Sequence, residues 1–392
     1  MTNKEYWLYL SKVKGLSSAR RRMLLEILGS PEEIYRAKEE TLRKIPLLED
    51  YQINQLVDYR KVDFEAEAIR IKRAGIRFVT SEEENFPEKL KNIPDAPDYL
   101  FYRGELPDNN HPAVAVVGSR KCSMYGREMC LKFSESMARA GINIISGMAS
   151  GVDGFAHRGA IKSGGKTTAV LGCGVDVCYP SMNRDIFDVL SDNGSQSYYT
   201  AISNLEEKLK DGQCPRSFGG IISEYYPGEK ALPYNFPLRN RIISGLADVL
   251  LVVEAGKKSG TFITVDHALE QGKEIFAIPG RIGDTVSDGC NSLIKNGAGL
   301  ATEPEDIIDV LQSHYSILLA AEKRKNKDKK DEALNLVGDE RKVYECLEVV
   351  PVQINEVSAR TGIDCGKLSG ILVGLELKGM IEEVGKNLYI KK

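Results

Sequence analysis

The 392-residue sequence lacks the features that place a protein in a membrane or direct it to export. It contains no apolar run near the ~20 residues that a membrane-spanning helix requires, and its mean hydropathy is −0.27. The N-terminal residues show no apolar segment followed by a cleavage site, as a secretion signal would. We therefore expect a cytoplasmic protein that makes no contact with a membrane.

The sequence also lacks the cysteine and histidine spacing of metal sites and disulfide scaffolds. None of its 8 cysteines forms a CxxC pair, and its 4 histidines lie far apart in the chain. Zinc ligands usually come in closely spaced pairs, and disulfide scaffolds belong to small secreted domains. We therefore expect reduced cysteines, no bound metal and no cofactor.

A strong charge of one sign is missing as well. The chain has 53 basic and 56 acidic residues, so its net charge is −3. The balance is nearly even in each part, with 19 basic and 20 acidic residues in 1–108 and 8 and 9 in 338–392. Any nucleic-acid site must therefore be a local patch and not a global field. The C-terminal part is too weakly basic for strong duplex binding, which favours a protein-contact or regulatory role.

The middle of the sequence alternates short apolar runs with helical stretches. The runs are 113–117, 142–145, 168–171, 220–223, 249–253 and 275–278. The helical stretches include 124–140, 152–162 and 261–271. Continuous apolar strands separated by helices indicate a parallel sheet covered on both faces. The sequence thus predicts an α/β fold with a Rossmann-like doubly wound parallel sheet, in which ligands bind at the carboxyl ends of the strands.

Composition divides the chain into four predicted parts. Residues 1–108 are mostly helical and end in a connector rich in proline, and residues 109–315 form the Rossmann-like domain. Within that domain, the polar segment 191–218 is predicted to be a surface insertion because it is long for a connection. Residues 316–338 are predicted to be a charged linker. Residues 339–392 predict three helices and a terminal hairpin, which together indicate a winged helix.

Three turns follow predicted strands and precede predicted helices. They contain Gly118-Ser119-Arg120, then Ser146-Gly147 with Gly151, then Lys258-Ser259-Gly260-Thr261. Glycine and hydroxyl residues at helix N-termini favour anion binding through free N–H groups and the helix dipole. Three such turns at one edge of a sheet predict a composite anion site.

Two residues that follow the second turn have two possible roles. Asp153 and His157 are four residues apart, which fits an acid/base pair. They also fit a purely structural pair, with Asp153 in a capping box with Ser150 and His157 packed against the helix. We favour the structural interpretation because no nucleophile lies nearby in the sequence.

Known nucleotide-binding motifs fail at specific positions. Lys166 sits in a Gly-Lys-Thr sequence, but a P-loop would need glycine at Ala160 and would follow a strand instead of preceding one. The glycines at 172 and 174 lack the third glycine of a dinucleotide fingerprint, since Val177 stands there.

An aromatic segment with arginines follows at 225–243. It contains Tyr225, Tyr226, Tyr234, Phe236, Arg239, Asn240 and Arg241. Aromatic rings beside arginines suit stacking on unpaired bases and contact with a phosphate backbone. A buried aromatic loop with a structural arginine pair is the other possibility, and the sequence alone does not favour either.

Taken together, these segments resemble the DNA processing protein A family, also called Smf. The matching segments are Gly118-Ser119-Arg120, 146–161, 169–180, 236–246, 254–264 and 268–280. The resemblance covers about residues 85–312 and implies a protein without enzymatic activity that binds single-stranded DNA. It further implies a homodimer formed through about residues 254–300, and a protein that loads the RecA recombinase onto DNA in recombination and natural transformation. The family layout also includes a helical N-terminal domain, like a SAM or helix-hairpin-helix domain.

The resemblance implies a set of DNA contacts. They are Gly118, Ser119, Arg120, Ser146, Gly147, Lys166, Phe236, Arg239, Asn240, Arg241, Lys258, Ser259, Gly260 and Thr261.

The alternative is a Rossmann-like nucleotide-binding hydrolase that cleaves the N-glycosidic bond of nucleoside monophosphates. Such enzymes carry a PGGxGTxxE signature, and here Thr264 stands where the catalytic glutamate would be. Without that carboxylate the chemistry lacks its acid/base group, so we favour the DNA-binding hypothesis.

Overall fold

The computed structural model describes residues 1–191, 196–206, 217–313, 315, 338–347, 352–377, 381–385 and 387–391. The chain forms two compact units, Met1–Ser313 and His314–Lys392. Nearly all of the predicted linker 316–338 lies outside the described residues. In the described part of the chain, no helix is long and apolar enough to cross a membrane.

The first unit is built around a nine-stranded sheet with the order β1-β2-β6-β5-β4-β3-β7-β8-β9. The strands are β1 (Arg77–Thr80), β2 (Tyr99–Gly104), β3 (Ala113–Val117), β4 (Asn143–Ser146), β5 (Thr167–Val170), β6 (Gly219–Ser223), β7 (Val249–Val252), β8 (Glu274–Ala277) and β9 (Gly299–Leu300). Neighbours from β6 to β9 are parallel. Because β4 to β6 lie on one side of β3 and β7 to β9 on the other, the strand order reverses at β3.

Helices cover both faces of the sheet. They are α7 (Glu88–Lys91), α8 (Met124–Arg139), α9 (Val152–Lys162), α10 (Arg184–Ser191), α11 (Gln196–Glu206), α12 (Asn235–Leu246), α13 (Thr261–Glu270), α14 (Asp288–Lys295) and α15 (305–313). Along β3, Val114 and Val116 join the core beneath α8 and α9, while Ala115 and Val117 join the core beneath α12 and α13. Alternate residues of one strand thus serve two cores, which confirms the predicted doubly wound fold.

The N-terminal residues are helical, as predicted, but they do not end in a connector. Their helices are α1 (Asn3–Lys12), α2 (Ser18–Leu28), α3 (Pro31–Arg36), α4 (Glu39–Leu42), α5 (Asp50–Asp58) and α6 (Phe64–Arg73), with a short 3-10 helix at Tyr59–Lys61. The segment 95–112, interpreted as a connector because of its prolines, contains β2. The prolines flank this strand, and β2 pairs antiparallel with β6 through Phe101 and Ser223. The N-terminal part therefore extends the same sheet.

The predicted insertion contains more helix than its composition suggested. The polar sequence of residues 191–199 predicts turns, yet α11 begins at Gln196. The helix is held because Tyr198 is buried, with its ring centroid 5.4 Å from that of Phe218. The sequence of residues 204–212 predicts a short surface helix, but most of this segment lies outside the described residues, as do residues 192–195.

The second unit has the predicted winged-helix elements. They are α16 (Asp339–Cys346), β10 (Val352–Gln353), α17 (Ile354–Thr361), α18 (Cys365–Leu377), β11 (Ile381–Gly385) and β12 (Leu388–Lys391). The strands form one sheet in the order β10-β12-β11. Val343, Val357, Leu368 and Leu372 are fully buried between the three helices, so this unit has its own core.

Candidate functional site

A cavity of about 590 Å³ lies where the strand order reverses, at the carboxyl end of β3. We call it the edge cavity. Residues after β3, β4 and β7 line it together with one face of α12, as predicted for a site built from several turns. The predicted residues that line it are Gly118, Ser119, Arg120, Phe236, Arg239, Asn240, Ser259, Gly260 and Thr261.

The turns that form the edge cavity are tied together through the backbone of Ser119. Its N–H donates to the carbonyl of Glu254 at 2.7 Å, and its carbonyl accepts from the N–H of Val152 at 3.1 Å. Glycine is needed on both sides of this contact. A Cβ at Gly118 would lie 2.7 Å from a Val152 methyl, and one at Gly151, where φ is +77°, would lie 2.3 Å from the Ser119 oxygen. The glycines therefore permit close packing of the turns.

One expected anion position is already filled by the protein. The N-terminus of α8 was predicted to hold an anion next to Arg120. Instead, the buried carboxylate of Glu254 accepts from the N–H of Ser123 at 2.7 Å and from its hydroxyl at 2.6 Å. The prediction was wrong for this helix end, because an internal carboxylate satisfies it. The anion-binding capacity at this turn therefore rests on the Arg120 side chain.

Arg239 and Asp153 form the buried base of the edge cavity. Arg239 is 4% exposed and donates to the carbonyls of Gly147, at 2.9 Å, and Val170. Asp153 accepts from the N–H of Ala149 at 3.3 Å, so the predicted capping box with Ser150 is not formed. Burial raises the pKa of Asp153 and lowers the pKa of Arg239. The positive charge of Arg239 counteracts the shift of the Asp153 pKa, and the negative charge of Asp153 counteracts the shift of the Arg239 pKa.

Arg120 and Phe236 lie at the open side of the edge cavity. Arg120 is exposed, and its guanidinium carbon is 5.3 Å from the centroid of the Phe236 ring. The guanidinium of Arg239 approaches the same ring at 5.9 Å. A Cβ at Gly172 would lie 3.0 Å from Phe236 Cδ1, so this ring packs directly on the backbone there. The result is an aromatic surface beside one accessible and one buried positive charge.

The other predicted contact residues do not line the edge cavity. Lys166 precedes β5, so it lies at the opposite, amino edge of the sheet, where it pairs with Glu105 at 2.9 Å. Arg241 is buried and pairs with Glu224 at 2.7 Å. Ser146 is buried and donates to the Val116 carbonyl. Gly147 is buried behind Arg239, and Lys258 is exposed on the turn before α13. The four basic residues Arg120, Lys166, Arg239 and Arg241, all implied as DNA contacts, therefore do not form one groove.

His157 is a packing residue. It is fully buried, and its Nδ1 lies 2.7 Å from the hydroxyl of Thr167. Burial lowers its pKa to about 3, so the ring is neutral. Because solvent does not reach the ring, His157 cannot act as an acid or base on a bound ligand. Of the two interpretations of Asp153 and His157, the structural one therefore applies to His157.

Several cavity residues were not in the predicted set. They include Lys121, Asp153, Pro233, Ile243 and Thr264. Helical spacing could have identified part of this group, because 236, 239, 240 and 243 share one face of α12. Within the described ranges, no group of three or more His, Cys, Asp or Glu could hold a metal ion.

Comparison with known proteins places the chain in a family. The family model of DNA recombination-mediator protein A matches residues 77–201 and 201–312, and that of the DprA winged helix domain matches 327–385. The DNA processing protein DprA of Streptococcus pneumoniae is 41% identical over 223 residues, which cover 57% of this chain and 70% of that protein. Protein Smf of Escherichia coli K12 is 35% identical over 341 residues, covering 85% and 82%. The X-ray structure of DprA from Streptococcus pneumoniae is similar with a TM-score of 0.59 at 32% identity, covering 79% of this chain and 98% of that one. The resemblance predicted from the motifs is confirmed, and the chain belongs to the DNA recombination-mediator protein A family.

Proposed function

We propose that the protein binds single-stranded DNA at the edge cavity. The observation that carries this proposal is the contact between exposed Arg120 and the half-buried ring of Phe236. A base can stack on the ring while a phosphate of the same strand meets the guanidinium, since base–aromatic stacking and backbone charge are the two usual elements of single-strand binding. The hydroxyls of Ser119, Ser259 and Thr261 line the same cavity and can donate to phosphate oxygens.

The same geometry disfavours a duplex. Paired bases are stacked on each other, so they cannot offer a face to Phe236 without being pulled out of the helix, at a cost of a few kcal/mol. A net charge of −3 also supplies no general attraction for DNA. The preference for an unpaired strand thus rests on the local aromatic surface and the accessible arginine.

Membership of the family leads to two further parts of the proposal. The protein acts as a homodimer, and it loads the RecA recombinase onto the bound strand. Exposed apolar side chains in 254–300 support the dimer, because a symmetric interface would bury the same patch on both subunits. They are Leu269, Ile282, Val286 and Leu300.

Fluorescence anisotropy with labelled oligonucleotides tests the DNA-binding proposal. We expect the single strand to bind more tightly than a duplex of the same sequence. We also expect a slope of log affinity against log salt of roughly −0.7 for each neutralised phosphate. Equal affinity for both forms with no dependence on salt would contradict the proposal.

Two further assays address the remaining parts. RecA filament formation on the single strand should start faster with the protein present, and an unchanged rate would contradict recombinase loading. Incubation with nucleoside monophosphates tests the hydrolase alternative. Release of free base would favour an enzyme, even though Thr264 occupies the position of the catalytic carboxylate in the edge cavity.

A further inference from the structure

Tyr179 is an exposed aromatic residue beside the edge cavity but outside its lining. Its ring stacks on that of Phe236, with the centroids 5.6 Å apart and an angle of 27° between the planes. The residue is 47% exposed, so Phe236 covers part of the ring while the rest faces solvent. Tyr179 therefore extends the aromatic surface of the cavity outward.

Ring contacts connect three side chains in a row across this surface. Arg120 lies over Phe236, and Phe236 stacks on Tyr179. A single exposed aromatic ring is common on protein surfaces and needs no explanation. Here, however, the exposed ring continues a surface whose inner end carries an accessible positive charge. That arrangement matches the alternation of aromatic faces and cations along single-strand binding grooves.

We propose that Tyr179 provides a second base-stacking position, which takes the base next to the nucleotide held at Phe236 and Arg120. This inference rests on the proposed function, since it assigns a role to the rim of the same site. The ligand is an unpaired nucleobase of any sequence, because every base has an aromatic face. The strand accordingly leaves the edge cavity across Tyr179.

The stacking role requires the aromatic ring and not the hydroxyl. Tyr179→Phe should therefore bind DNA as the wild type does. Tyr179→Ala should bind about ten-fold more weakly, which is the order of affinity loss when one base-stacking ring is removed from a single-strand binding protein. Tyr51→Ala is a matched control, because Tyr51 is 45% exposed and lies on α5, among the N-terminal helices. Its affinity should equal that of the wild type.

A set of dT oligonucleotides of the shortest length that still binds with full affinity, each with one abasic site at a different position, makes the test specific, because a strand that just fills the site cannot shift its register. The wild type should lose affinity at two adjacent positions, one for each ring. Tyr179→Ala should keep the loss at one position and show none at its neighbour. Measurement with the wild type alone remains informative if Tyr179→Ala fails to fold.

The outcomes separate this inference from the proposed function. If the wild type binds no single strand, the proposed function fails and the inference fails with it. If the wild type binds but is sensitive to only one abasic position, or if folded Tyr179→Ala keeps the wild-type affinity and abasic profile, only the second stacking position is overturned.

Discussion

Arg239 and Arg241 lie two residues apart on α12, yet their guanidinium groups serve different parts of the molecule. Arg239 donates to the carbonyl of Gly147 at the base of the edge cavity, 2.9 Å away. Arg241 pairs with Glu224, after β6, at 2.7 Å and with Asp95, before β2, at 3.3 Å, and it also donates to the hydroxyl of Ser18 on α2 at 3.4 Å. Positions i and i+2 of a helix do not face the same way, which explains the division. One helix thus supports both the site and the attachment of the N-terminal part.

Replacing Arg241 should weaken the fold more than the DNA site. Arg241→Ala leaves the half-buried Glu224 with, among the described residues, only the longer ion pair to Arg21, at 3.5 Å. Removing one partner of a buried ion pair costs about 3 kcal/mol or more. We expect denaturant titration to show a loss of this size, with unchanged DNA affinity at temperatures where the variant is folded. A ten-fold weaker affinity of the folded variant would instead assign Arg241 to the DNA site.

Replacing Arg120 should have the opposite effect. Because the side chain is exposed, Arg120→Ala should change the free energy of unfolding by no more than about 0.5 kcal/mol. Loss of a charge-assisted contact to phosphate should weaken single-strand binding about ten-fold. Lys166→Ala removes an exposed cation at the opposite edge of the sheet and should leave the affinity within about two-fold. Anisotropy titrations of the two variants side by side would contradict the assignment if Lys166→Ala had the larger effect.

A charge among the exposed apolar side chains of residues 254–300 should separate the proposed dimer. Leu269 lies on α13 and is 62% exposed. Leu269→Glu would place two like charges in a symmetric interface, which is unfavourable when they are buried. We expect light scattering to give a dimer for the wild type and a monomer for the variant. The affinity for long oligonucleotides should fall because bivalent attachment is lost, while that for short ones stays constant. A monomeric wild type would contradict the dimer itself.

Deletion of residues 339–392 should leave most of the DNA affinity intact. The winged helix has its own core, and 338–392 carries 8 basic and 9 acidic residues, so it supplies no basic excess for phosphate contacts. Residues Met1–Ser313, which contain the edge cavity, form a separate compact unit. Anisotropy should give an affinity within about three-fold of the full chain. A loss of ten-fold or more in the deletion variant would assign the winged helix to the DNA site.

Burial of His157 should make stability depend on pH. The pKa of His157 is about 3 in the folded state, against about 6.5 for an unfolded histidine. Below pH 6.5 the unfolded chain therefore binds a proton that the folded chain does not. As the pH is lowered from 6.5 to 3, the free energy of unfolding should therefore fall by up to about 1.4 kcal/mol per pH unit. His157→Gln should remove this contribution, while His111→Asn should keep it because the side chain of His111 is 61% exposed. Equal pH profiles for wild type and His157→Gln would contradict the assignment.

The local pattern of the sequence was sufficient for most secondary structure and for the turns that line the edge cavity. Apolar runs matched β3 to β8 within one or two residues, because a strand buried on both faces needs a continuous apolar sequence. The same pattern identified the winged helix. The meeting of these turns followed from topology, since turns after parallel strands meet at one edge of a sheet. Only the tertiary structure decided which charged groups line that edge. Glu254, in the segment after β7, fills the N-terminus of α8, and β2 joins the sheet through β6, far along the chain. Such contacts depend on packing between remote segments, which no local pattern records. The different directions of Arg239 and Arg241 could be predicted in part. Once the sequence is known to form α12, helical geometry alone places these two side chains on different faces.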